Sequence, residues 1–417
     1  KARVSYGRFN TFDAQGVVSF GLAPNVAIKL TGAYNSTDGY IWNRTQNQHG
    51  QTSDFRAIGA EVLFTPTESL EISASYDHQY TRQDPSQLQA VNRPTDLFCT
   101  AYNQCSASPG DTTSGSRYVS LGNGPLDKNA RFKLDMAIGK VKYDLGDDFE
   151  LQYILGYLKT NEKATQDWDS SPFTLYHTDR PARWRQTTNE FRLSKGGTGP
   201  ITFVLGGYLW DSKYTINLKN YIGFAGSPLL TSAQDVTQTT KSYAAFFEGD
   251  YRITDKLKIT LGGRYTHDRK TSIVNDGTIY IYGTTEEVDP VLVIQPSLAN
   301  GNIVMTAPVK ANWSKFTPKV SLSYNWTSDV MTYALWSRGY RGGGFNGRPA
   351  TLGAATIPYD PETLETLARM GFKDPPLAAE TVRGWHFGRR AAVQTARARE
   401  VLTELVPDLL ESLAGSG

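Results

Sequence analysis

The stretch "SRGYRGGGFNGRP", residues 337–349, gathers side chains well suited to gripping a ligand. Arg338, Arg341 and Arg348 carry planar guanidinium forks that match carboxylate or phosphate oxygens. Asn346 adds an amide that both donates and accepts. These four residues are the predicted substrate-binding groups, facing an anionic ligand or lipid phosphates. Gly339, Gly342, Gly343 and Gly344 have the structural task of letting the backbone turn steeply and approach its neighbours closely. The plainer alternative is that the glycines only permit a turn and the arginines sit in water. No Lys-Ser/Thr pair follows the glycines, so they form no phosphate loop of the nucleotide-binding kind. No Gly-x-Ser-x-Gly elbow occurs anywhere, and no catalytic residue is predicted.

Other groups with possible chemistry are scattered. "DWDSS" (167–171) and "EEVD" (286–289) bring carboxylates together in polar segments, where a solvated charge cluster is expected ahead of cation capture. His49, His78, His177, His267 and His386 stand at no metal-ligand spacing with another His or Cys. No metal and no cofactor are therefore predicted. Cys99 and Cys105 lie in a loop rich in Ser, Pro, Gly and Asn, a setting that predicts a loop disulfide in an oxidising compartment. Two free thiols are the alternative.

The elements that hold these groups are strands. The chain has 417 residues, with 12% aromatics and 38 glycines, a composition of strands and turns. Its 43 basic and 41 acidic residues leave a net charge of +2, which gives no reason to expect nucleic acid. No run of 18 apolar residues exists, so no transmembrane helix is predicted, but strands that alternate over about ten residues can also span a bilayer. The start, "KARVSYGRFN", has neither Met nor a signal-peptide pattern and reads as truncated or processed.

Apolar and polar residues alternate from the start to about residue 340. Leu70, Ile72, Ala74, Tyr76, His78 and Tyr80 share one face; Glu71, Ser73, Ser75, Asp77 and Gln79 share the other. About thirteen such segments are predicted, many longer than ordinary globular strands. Short connections at 23–25, 65–69, 145–148, 195–200, 253–256 and 326–329 alternate with long ones near 38–54, 82–128, 167–185, 219–240 and 273–312. This rhythm predicts an all-β fold, an antiparallel up-and-down sheet with tight turns on one rim and long loops on the other. In hydrocarbon such a sheet must close into a barrel, because nothing else satisfies its edge N–H and C=O groups. Tyr40, Trp42, Tyr80, Tyr265, Trp326 and Trp336 fit the aromatic girdles of a transmembrane β-barrel.

With that anatomy, "SRGYRGGGFNG" resembles the late strand-to-loop segment of TonB-dependent outer-membrane receptors. "YDPETLET" (359–366), "FFEGDYRITDKLKITLGGRYTHDRK" (246–270) and "NEFRLSK" (189–195) resemble further parts of that family. The resemblance covers about residues 1–366. It implies a cell outer membrane location in a Gram-negative bacterium, contact with outer-membrane lipid, and uptake of a scarce nutrient such as an iron–siderophore complex. It also implies an N-terminal plug through which the TonB complex supplies energy. About thirteen strands fall well short of the family's usual number, about 22, and no plug segment is recognised, so residues 1–360 are expected to be a partial barrel without its plug. A passive porin or a surface adhesin on the same sheet is the alternative; no enzyme is expected.

After about residue 360 the period becomes helical. Val401, Leu402, Leu405, Val406, Leu409, Leu410 and Leu413 fall on one stripe, predicting a short α-helical tail over 361–417. "GFKDP" (371–375), "GWHFGRR" (384–390) and "RAREVLTELVPDLL" (397–410) resemble an internal segment of bacterial glutamine synthetase adenylyltransferase. None of that enzyme's acidic nucleotidyltransferase motif is present, so the tail is expected to be foreign or fused and to carry no transferase activity.

Overall fold

The computed structural model describes residues 1–368 apart from 109, 125–129, 225–226, 278–303, 306–307, 329 and 348–351. The predicted tail helix, the 286–289 carboxylates and Arg348 lie outside the described residues. A single large antiparallel sheet dominates. In chain order its main strands are β1 (Ala2–Gly7), β2 (Thr11–Ala23), β3 (Val26–Thr37), β4 (Ser53–Thr67) and β5 (Leu70–Gln83). They continue with β6 (Ala130–Gly146), β7 (Phe149–Asp167), β8 (Tyr176–Lys195), β9 (Ile201–Phe224) and β10 (Ser227–Arg252). The last four are β11 (Leu257–Gly277), β12 (Val309–Asn325), β13 (Met331–Arg341) and β14 (Glu362–Ala368). Each strand pairs with the next along the whole path from β1 to β14.

Up-and-down order is thus as the rhythm of turns predicts, but the sheet is open. β1 and β14 are its two ends and do not pair with each other. Closure would need the two edge ladders to meet, and fourteen strands do not bring them together here. Glu362–Ala368 also corrects the sequence boundary: residues assigned to the helical tail form a strand against β13, with Gly339 opposite Leu364.

The tight rim is built from turn chemistry. Gly146, Asp147 and Asp148 all take positive φ (82°, 53° and 66°), the left-handed geometry that joins β6 to β7 without splaying them. At the β10–β11 turn the Thr254 hydroxyl accepts from the Lys256 and Leu257 amides. On the opposite rim one predicted loop is not a loop. The span 219–240 continues the ladder of β9 and β10, whose lengths are 24 and 26 residues, into a tall hairpin.

Register separates two faces. On one, Tyr143, Leu151, Leu193 and Leu205 lie side by side, and so do Leu155, Asn189, Leu209 and Tyr243. Leu151, Leu155, Leu205, Leu209, Phe247, Leu261 and Phe316 all remain exposed on it. The other face carries Glu150, Arg192, Glu248, Asp250, Lys258 and Lys319. Tyr143 and Tyr251 border the apolar band toward the tight turns, and Tyr76, Tyr157, Tyr243 and Tyr265 border it toward the loops. Tyr40 and Trp42 are not part of that girdle. They sit in a separate patch of the loop rim, where Ile41–Asn43 pairs with Gln48–Gly50 and with Val119–Ser120.

Candidate ligand-facing site

The polar face is lined by charges held in pairs. Lys319 Nζ lies 2.9 Å from both carboxylate oxygens of Glu248. Asp250 accepts from Lys258 at 2.8 Å and from the Thr260 hydroxyl. Arg264 lies over the rings of Tyr208 and Phe246, 5.3 and 5.7 Å from their centroids. Nearer the loop rim the same face buries Ser212, Ser242, Thr266, Asp268 and Ser272.

Across this upper part runs the segment that follows β13. Tyr340 donates its hydroxyl to Asp268 at 2.8 Å, tying the start of the segment to β11. Gly342 then passes Asp268, and Gly343 passes so close to Trp313 that a Cβ would stand 2.5 Å from its ring and 2.7 Å from the Tyr359 carbonyl oxygen. Gly344 lies on the Tyr359 ring, while Phe345 is 3% exposed and receives a hydrogen bond from Gln238 at its carbonyl. Further along, a short helix, Leu352–Thr356, buries Ala355 against Ile216, Val236 and Val274. The three consecutive glycines therefore serve close packing as well as turning. They let a strap lie flat on the polar face.

The predicted binding residues are not gathered by this strap. Arg341 is exposed at the end of β13 and pairs with Glu362 of β14 at 3.4 Å. Asn346 is exposed past the buried Phe345, Arg338 is half-buried within β13, and Gly339 is exposed beside Leu364.

A second constellation lies on the loop rim, and sequence reasoning misjudged it. Asp167 and Asp169 are buried, not solvated. The Asp167 carboxylate accepts from the backbone N–H groups of Asn123, Gly124, Asp169 and Ser170. Asp169 accepts from the N–H groups of Ser171, Leu175 and Tyr176 and from the Ser171 hydroxyl. Burial first, and the neighbouring Asp169 second, push the Asp167 carboxyl above the usual aspartate range. His177 Nε2 stands 3.6 and 3.8 Å from these carboxylates and, though buried, makes no hydrogen bond. The three side chains present donor atoms within 4.8 Å of one another. Each carboxylate oxygen already accepts two hydrogen bonds, so the cluster acts as a staple joining the 84–124 loop to the 168–175 loop. Gln166 donating to Ser86 O and Ser170 donating to Leu88 O extend the staple. Its sequence signal was the Asp-x-Asp-Ser-Ser spacing, which suits carboxylates that fold back onto their own backbone. In the same loop Cys99 and Cys105 are joined by a disulfide, beside the short helix Leu97–Tyr102.

A two-faced up-and-down antiparallel sheet with one tight and one elaborated rim is the wall architecture of β-barrel proteins. The TonB dependent receptor-like β-barrel family matches residues 100–390, well over half of the chain. The chain belongs to that family. The ferric yersiniabactin uptake receptor FyuA from Yersinia pestis is 16% identical, with a TM-score of 0.69 over 90% of this chain and 52% of that one. The siderophore receptor PiuA from Acinetobacter baumannii is 13% identical, with a TM-score of 0.64 over 89% and 54% of the two chains. The closed form of the ferric-catecholate import receptor Fiu from E. coli K12 gives 14%, 0.62, 90% and 55%. At such identities the likeness shows the fold alone, and the chain spans about half the length of these receptors. A short second similarity accords with the one read in the tail. The bifunctional glutamine synthetase adenylyltransferase/adenylyl-removing enzyme of Caulobacter vibrioides is 53% identical over 58 residues, 14% of this chain and 6% of that enzyme. The corresponding enzyme of Rhizobium meliloti is 55% identical over 51 residues, 12% of this chain and 5% of that enzyme.

Proposed function

We propose that this chain is barrel wall from an outer-membrane receptor that takes up a scarce nutrient, such as an iron–siderophore complex, under energy from the TonB complex. The observation that carries the reading is the two-faced register: exposed Leu, Phe and Tyr on one side, paired charges on the other. The solved relatives named for ferric yersiniabactin, ferric catecholates and siderophores support an iron chelate as cargo.

In this reading residues 1–360 form barrel wall and 361–417 are a foreign helical extension, with residues 362–368 borrowed as a strand. A plug domain seated against the polar face gates the lumen and receives the pull of TonB. Arg338, Arg341, Asn346 and Arg348 serve as loop-rim contacts for an anionic ligand. Among the described residues nothing on the polar face favours an open passive pore, since Gly342 to Phe345 and the helix Leu352–Thr356 lie across its upper part. The test is to insert the full chain into phospholipid vesicles and titrate ferric siderophores against its tryptophan fluorescence. Saturable quenching by an iron chelate that the metal-free chelator does not match is expected. Inserted protein that binds no chelate would overturn the uptake reading.

A further inference from the structure

Beyond the apolar band, toward the loop rim, the lipid-side face becomes cationic. On β6, β7, β8 and β9 the outward positions after the band are occupied by Arg131, Lys159, Lys163, Arg183, Arg185 and Lys213, all of them exposed. Their register is unusual. Arg131 stands directly opposite Lys163, and Lys159 stands opposite Arg185, which in turn stands opposite Lys213. Like charges placed directly across a sheet repel and destabilise the pairing. The acids on this face do little to offset them. Asp135 stands opposite Lys159 but also accepts from Tyr76 and His78, Asp235 accepts from Asn217, and Asp211 lies 3.6 Å from Lys241. Among the described residues no carboxylate comes within ion-pair distance of Arg131, Arg183, Arg185 or Lys213. Between the cations lies a shallow cavity of about 490 Å³ where Arg131, Lys133, Lys163 and Arg183 outnumber a single acid, Glu162, with Asn161 and Asn217 beside them.

We propose that this row binds the phosphate groups of anionic lipid headgroups in the surrounding leaflet. The inference rests on the membrane reading above and adds a specific site to it. Two observations converge. The row follows directly on the tyrosines that end the apolar band, where headgroups begin, and Tyr157 is followed two residues on by Lys159. The repulsion between Arg131 and Lys163 and between Arg185 and Lys213 is relieved when anions sit between the cations. Guanidinium groups at Arg183 and Arg185 can each grip a phosphate through two N–H groups, and Asn161 and Asn217 supply neutral donors. A lipid is the fitting source because its acyl chains would lie on Leu155, Tyr157 and Leu209 directly below.

The experiment compares the full wild-type chain with K159Q/R185Q/K213Q, each added to vesicles of phosphatidylcholine alone or with 30% phosphatidylglycerol. Insertion is read by protease protection and stability by the unfolding midpoint. Wild type is expected to unfold at a higher temperature in the anionic vesicles and to retain phosphatidylglycerol through purification. The triple variant should lose that lipid about tenfold or more. In the zwitterionic vesicles the variant should be as stable as wild type or more so, because the repulsion is gone. That second arm separates lost lipid binding from lost folding. Equal lipid retention by both proteins would overturn the proposal. Equal stabilisation of wild type by inorganic phosphate would assign the row to free phosphate and overturn the lipid source. Insertion of both proteins with no anionic effect removes this inference alone, whereas failure to insert in any vesicle removes the membrane reading with it.

Discussion

Gly343 and Trp313 are in contact across the polar face, close enough that a methyl group on Gly343 would stand 2.5 Å from the indole. The Tyr359 carbonyl closes the space from another side at 2.7 Å. Gly343→Ala must therefore displace backbone and a large ring together, and should cost about 1–3 kcal/mol. Gly347→Ala, with nothing within 4 Å of the new carbon, should change stability by less than about 0.5 kcal/mol. Thermal unfolding of both variants in detergent micelles checks the pair, and equal midpoints would contradict the packed strap.

Leu261 and Ser321 test which face meets lipid. Leu261 is exposed on the apolar face, and Ser321 stands opposite Thr260 on the polar one. Leu261→Arg should cost about 2–4 kcal/mol of membrane-inserted stability, while a lumen-side Ser321→Arg should cost close to none. Urea titration of vesicle-inserted protein reads both.

Asp167 predicts a pH response of the loop rim. Its folded-state pKa is raised by burial above the ordinary value of 3.8, so the folded state favours the protonated acid. This group's contribution to stability is fully present below the ordinary aspartate pKa and is lost as pH rises through the raised folded value. Hydrogen exchange at the Gly124 and Ser170 amides should therefore slow, relative to Asp167→Asn, as pH falls through that window. A response of the same size in Asp167→Asn would place the titration elsewhere.

The Cys99–Cys105 bridge closes a ring with a sequence separation of 6, far from the ladder of the sheet. A loop this short gives about 2 kcal/mol of local restraint. Reduction, or Cys99→Ser with Cys105→Ser, should speed chymotryptic cleavage after Tyr102, inside the ring, and leave the unfolding midpoint of the sheet in place. A matching fall in the midpoint would mean that the loop is needed for the wall.

Much of the wall was legible from period-2 alternation and turn chemistry, because one face must satisfy lipid and the other water. The alternation failed where that asymmetry ends. Above the band the outward face of β9 and β10 turns polar too, so Lys219, Asn220, Gln234, Asp235 and Thr237 read as loop although their ladder continues. The glycine strap was legible as a steep exit but not in its direction, since Trp313, Val274 and Gln238 lie far from it in sequence. Asp167 and Asp169 were taken for solvated charges because carboxylates seldom bury. Here eight hydrogen bonds hold the pair in the interior of the rim. A strand at Glu362–Ala368 in place of the helical tail expected from residue 361 shows the boundary yielding to pairing with β13.

The left-handed corner at Gly146, Asp147 and Asp148 has a consequence for how the wall is put together. A connection without slack fixes which residue faces which before any other partner arrives, so β6 and β7 can zip as one unit from that corner. β5 and β6 are joined instead through the 84–129 span, whose closure fixes no alignment. The wall is therefore assembled from preformed ribbons docked side by side. A residue inserted at the corner would shift a whole ribbon by one position and turn its greasy side inward, whereas the same insertion in the long connection between β5 and β6 would be absorbed.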